Sequence, residues 1–91
     1  MGKMMPLKDI VIQDAREFTG VDLTGIFELG MIKPEDVRSW LIKRKYFEMA
    51  RRGMNYTEIK IELSIRYDIT VSAIEKMIYK KERHGLRRNQ L

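Results

Sequence analysis

The chain has 91 residues and no cysteine. That absence excludes a disulfide framework, a thiolate metal site and a cysteine nucleophile. The single histidine, His84, sits in a charged terminal stretch with no carboxylate cluster at ligand spacing, so no metal site is expected. No apolar run approaches the roughly 20 residues that a membrane-spanning helix needs. The start, MGKMMPLKDI, lacks the apolar centre of a secretory signal, which leaves the cytoplasm as the default expectation. There is no glycine-rich phosphate loop and no nucleophile–base pair. The carboxylates of Asp9, Asp14 and Glu17 read as helix solvation, and those of Glu35 and Asp36 as partners of a helix N-terminus. Neither an enzyme nor a cofactor is expected. Only two prolines occur, Pro6 and Pro34, and each suits a helix start.

What is present fits one small domain over residues 1–91. Hydrophobic residues make up 44%, ordinary for a folded chain and against general disorder. A chain of this length buries a modest core, so a dimer is a reasonable way to complete it. Net charge is +5, unevenly spread. Residues 1–36 carry four basic and seven acidic groups, whereas residues 37–91 carry fourteen basic and six acidic. The positive field of the second part attracts a polyanion.

Periodicity predicts an all-α fold of four or five helices. Leu7, Ile10, Val11 and Phe18 lie at helical spacing, and Gly20 can end that first helix in the left-handed conformation. Residues 20–33 are hard to read because three glycines break the pattern. A short helix near 22–29, capped by Asp22 and ended by Gly30, is the first choice; an extended segment is the alternative. A long helix is expected from Pro34 to about Arg52, stopped at Gly53. It carries two apolar arcs, Val37, Trp40, Leu41 and Phe47 on one and Ile42, Tyr46, Met49 and Ala50 on the other. Trp40 reads as core.

From Asn55 to Lys81 the pattern becomes two amphipathic helices with a very short turn between them. Asn55 with Glu58 is a capping-box-like start, and Ile59, Leu63 and Tyr67 form a stripe. In the second helix Val71, Ile74, Met77 and Ile78 share one side, and Ser72, Glu75, Lys76, Tyr79 and Lys80 the other. Two caps compete: Thr70, or Ser72 with Glu75 three residues on. Ile61 and Ile65 lie opposite the stripe, to be covered either by the long helix or by a second subunit.

Residues 60–79 resemble the twenty-residue helix-turn-helix unit of bacterial and phage regulators. That unit asks for apolar residues at its fourth, eighth, tenth, fifteenth and eighteenth places, and Leu63, Tyr67, Ile69, Ile74 and Met77 stand there. It asks for a small residue at the fifth, where Ser64 stands, and glycine at the ninth, where this chain has Asp68. Aspartate tolerates the left-handed region that this place needs better than most residues. Another register, with Ile59 at the fourth place, sets Lys60 where the helices must cross closely. The run LSIRYDITVSAIEKMI is also similar to the tail of Mor-type phage activators and to N-terminal modules of small terminase subunits and transposases.

The resemblance implies a tri-helical core of about 34–52, 56–67 and 71–83, preceded by an N-terminal helix. Residues 1–33 would form an N-terminal helical segment, a candidate for dimerisation, 34–84 the DNA-binding core and 85–91 a basic tail. It implies double-stranded DNA as partner, with the second helix in the major groove. Thr70, Val71, Ser72, Glu75, Lys76 and Tyr79 then face DNA. Lys76 suits guanine acceptors, Glu75 the cytosine amino group and Val71 a thymine methyl. Tyr79, Lys80 and Arg83 are placed to touch phosphates. A homodimer on two half-sites is the expected assembly, and a transcriptional regulator the expected role. The alternatives are a DNA-binding module of a packaging, transposition or mobilisation machine, and a small helical protein-protein adaptor with a basic, solvated face. No small-molecule ligand and no membrane partner is expected.

Overall fold

A computed structural model of the chain describes residues 5–79. They form five helices and no strand, so the fold is all-α. α1 is Leu7–Thr19, α2 is Thr24–Glu28, α3 is Pro34–Arg51 and α4 is Tyr56–Tyr67. The described part of α5 covers residues 71–79. None of the described helices is long and apolar enough to cross a membrane. The chain groups into two compact units that divide inside α3, between Leu41 and Ile42.

In the first unit Pro6 stands just before α1, where its fixed φ suits the entry and its missing N–H costs nothing. Gly20 ends the helix at φ 86°, its N–H bonded to the Arg16 carbonyl. Val11 and Ala15 are buried. So is Asp14, at 2% exposure, which corrects its assignment to the solvated side of the helix. The 20–33 stretch contains the short helix rather than an extended segment. Its N-cap is Leu23, not Asp22. Asp22 acts one residue earlier, its carboxylate accepting from the Thr24 N–H at 3.0 Å and the Thr24 hydroxyl at 2.7 Å. Those two bonds hold the Asp22 carboxyl below its usual pKa. Gly30 takes φ 73° beyond α2.

α3 starts at Pro34, with Glu35 and Asp36 in its first turn against the helix dipole. Its burial follows the second arc read in the sequence, with Ile42 and Tyr46 buried and Met49 and Ala50 half-buried, and departs from the first. Leu41, Ile42 and Tyr46 are buried, whereas Trp40 is 44% exposed and Phe47 56%. Trp40 therefore is not core. Its ring meets Phe18 edge to face, centroids 6.3 Å apart.

In the second unit the core is Ile42, Tyr46, Ile59, Leu63, Tyr67, Ile74 and Ile78. The every-fourth-residue stripe on α4 is buried as its spacing predicts. Burial of a side chain of this size contributes on the order of 1.5–3 kcal/mol each before the entropy of ordering it. Gly53, at φ 92°, follows α3 and frees the chain to turn towards α4.

Candidate nucleic-acid interface

α4 begins at Asn55, whose side-chain oxygen accepts from the N–H groups of Thr57 at 2.8 Å and Glu58 at 3.3 Å. Two of the helix's four orphan donors are thereby satisfied. At its other end Asp68 adopts φ 54° and ψ 56°. It is the one non-glycine residue at positive φ among the described residues. The ninth place of the helix-turn-helix register thus has the backbone that the register requires, with aspartate instead of glycine. Three further bonds fix the turn. The Asp68 and Ile69 N–H groups both donate to the Ser64 carbonyl, the latter at 3.2 Å. The Ser64 hydroxyl donates to the Ile69 carbonyl at 2.6 Å. The bond from Ile69 back to Ser64 is the six-to-one closure of a Schellman turn. Ser64 therefore contributes a hydrogen bond to the turn as well as a small volume, which spacing alone did not reveal.

The competition between caps is decided for Thr70. Its hydroxyl oxygen accepts from the Ala73 N–H at 3.1 Å, and its carbonyl from the Ile74 N–H at 3.1 Å. α5 then begins at Val71. Ile74 and Ile78 are buried, and Val71 and Met77 half-buried. Ser72 and Lys76 face solvent.

The remaining residues assigned to DNA have other engagements. Glu75 accepts a hydrogen bond from the Lys60 ammonium at 3.0 Å, in an ion pair that ties α5 to α4. The bond to Glu75 keeps the Lys60 ammonium protonated above the usual lysine range. The Thr70 hydroxyl is occupied in capping, and Val71 is only partly accessible. Tyr79 is half-exposed and joins an aromatic cluster. It shares a hydrogen bond with Tyr46, which stacks on Tyr56 with centroids 5.9 Å apart and planes 11° from parallel. Phe47 meets Tyr46 edge to face at 5.3 Å. Burial pushes the Tyr46 hydroxyl's pKa up, with the neighbouring Tyr79 next in effect. Lys80 and Arg83, and the tail, lie outside the described residues.

Ser72 and Lys76 are thus the solvent-facing centre of α5, with Glu75 and Tyr79 engaged along one flank. Neither the Lys60–Glu75 pair nor the tyrosine cluster was visible in the sequence, because each joins residues far apart in the chain. The nearest signal was Lys60 and Ser64 sharing one helical face one turn apart.

Basic groups crowd the rest of this unit. Lys45 lies over the Tyr67 ring, 5.4 Å from its centroid, which fixes a cation beside the turn. Glu48 pairs with Arg51 and, at 3.4 Å, with Arg52. Ile61 and Ile65 are 47% and 76% exposed. Of their two expected covers, the long helix of the same chain is therefore ruled out. No group of three or more potential metal ligands occurs among the described residues.

Compared with protein-family models, with curated proteins and with solved structures, the chain matches none.

Proposed function

We propose that this chain binds double-stranded DNA through α4 and α5, as a regulator of helix-turn-helix type. The observation that carries the reading is the turn. Asp68 in the left-handed region and Thr70 as N-cap leave three residues between two helices whose inner faces are buried together. Along α5 Ile74 and Ile78 are buried, which leaves Ser72 and Lys76 at its solvent-facing centre. Residues 42–79 carry eight basic and five acidic groups, which favours a polyanionic partner.

The roles within the proposed site narrow to fewer residues. Lys76 reads guanine acceptors and Ser72 a base edge or a phosphate. Glu75 acts through Lys60 as a brace that fixes the angle of α5, instead of reading cytosine. Tyr79 braces the other end through Tyr46. A second copy covering Ile61 and Ile65 would give the homodimer that two half-sites require. Sedimentation showing a monomer at high micromolar concentration would remove that part of the reading.

Titration of a labelled random duplex at two salt concentrations tests the whole. DNA binding predicts a steep loss of affinity with salt, because phosphate contacts release counterions. Lys76→Ala with Ser72→Ala removes roughly 1–3 kcal/mol of preference at the contacted bases, with the melting temperature nearly unchanged. Unaltered DNA affinity in this double variant would refute the assignment of α5 as reader. Selection from a random pool then separates a regulator, which recovers a palindrome, from a packaging-type module, which recovers none.

A further inference from the structure

A groove in the first unit stands apart from the DNA reading. Ala15 and Thr19 of α1, Val21 and Leu23 beyond it, Ile32, and Val37 and Trp40 of α3 line a cavity of about 480 Å3. Its walls are almost entirely apolar, and the volume lies within the range of pockets that hold a small ligand or a few side chains. Val21 of this lining is half-exposed, and in the same unit Leu29 and Met31 are 74% and 70% exposed. A water-facing apolar surface of this kind marks an interaction site.

Charge selects the occupant. Asp36 lines the groove and Glu35 adjoins it at the start of α3. Asp22 lies between the lining residues Val21 and Leu23, and its lowered pKa keeps it ionised. Lys33 is the single basic residue in these rim segments, Arg16 of α1 also acts on Asp22, and the described residues of the unit still carry four basic against seven acidic groups. A second copy presenting the same face would bring these carboxylates together, which costs energy. A helix with an apolar stripe and lysine or arginine along its edges matches both features. We propose that this groove binds an amphipathic helix with basic flanks, supplied by a partner protein. Such a helix lays its residues at i, i+3, i+4 and i+7 into the groove, while its cations meet Asp22, Glu35 and Asp36.

Trp40 is the only tryptophan of the chain and lines the groove, so its emission reports occupancy directly. The full chain is titrated with two synthetic helical peptides that share one apolar stripe, one flanked by lysines and the other by glutamates. The lysine peptide is expected to shift Trp40 emission to the blue, to saturate, and to bind at least tenfold more tightly than the glutamate peptide. Glu35→Gln with Asp36→Asn should shrink that ratio several-fold. Val21→Asn, a change without charge at a half-exposed site that leaves the helices intact by circular dichroism, should weaken both peptides several-fold. Equal affinity for the two peptides, or no shift with either, overturns the proposal. So does a blue shift that grows with protein concentration alone, which would give the groove to a second copy. Loss of DNA binding in Lys76→Ala leaves the peptide result unchanged, so the two readings fail separately.

Discussion

The first unit buries Val11, Asp14, Ala15 and Leu41 and leaves Val21, Ile26, Leu29, Met31 and Trp40 in contact with water. The second buries Ile42, Tyr46, Ile59, Leu63, Tyr67, Ile74 and Ile78 and leaves Phe47, Tyr56, Ile61, Ile65 and Tyr79 exposed. Its helix boundaries also agree with its packing. Asn55 caps α4, Asp68 ends it and Thr70 caps α5, each by a bond within a few residues. Local preference and core burial therefore favour one arrangement there, which is the condition for a single well-defined state. In the first unit the local signals are present too, at Pro6, Gly20 and Gly30, but much of the apolar surface they organise stays outside the core. The difference teaches that the second unit closes a packed core and leaves Ile61 and Ile65 as its outlying apolar pair, whereas the first leaves the larger share of its apolar residues outside the core.

The largest break in this contrast comes from the cores. Ile59→Ala should cost about 2–5 kcal/mol, since it leaves a cavity between well-packed helices. Leu29→Ala, at a site 74% exposed, should change stability by less than about 0.5 kcal/mol. Chemical denaturation of the two variants checks the pair, and comparable losses would mean that Leu29 is covered in solution. Next comes the turn. Asp68→Val forces a branched residue into the left-handed region and should cost about 1–2 kcal/mol. Asp68→Gly should be neutral or stabilising. If glycine were the worse of the two, the Asp68 side chain would be holding the turn by a bond of its own.

These two tests also mark what was legible in the sequence. The α4 stripe and the α5 core side followed from helical spacing, and the left-handed residue from its place in the register. Trp40 and Phe47 were misjudged because periodicity says which residues share a face, and not whether a neighbour covers that face. Asp14 was misplaced for the opposite reason, since a carboxylate reads as solvated until a fold closes over it. Glu75 was offered as a cap or a base reader. Its true partner, Lys60, is fifteen residues away and no local rule joins them.

Smaller effects sharpen the account of α5. Thr70→Ala should cost about 1 kcal/mol by removing the bond to the Ala73 N–H. Ser72→Ala should cost little stability, since Ser72 does not cap. Equal losses in the two would reopen the choice of cap. The smallest effect concerns pH. The folded Lys60 pKa is raised above 10.5, so its stabilising contribution is complete below that pH and declines as pH rises through the folded value. Lys60→Met should therefore flatten the alkaline limb of a melting-temperature profile and leave its neutral region nearly level. A profile as steep as that of the parent would assign the alkaline loss to another group, with the Tyr46 hydroxyl next in line.

The placement of the aromatic residues has a practical consequence. The sole indole, Trp40, belongs to the first unit, and all four phenols, Tyr46, Tyr56, Tyr67 and Tyr79, belong to the second. Each half of the chain thus has its own intrinsic chromophore. Excitation at the red edge of the absorption band follows the first half alone, and derivative absorbance, which resolves phenol from indole, follows the second. Whether the two halves melt together or in sequence can be read from one unlabelled sample, with no residue changed.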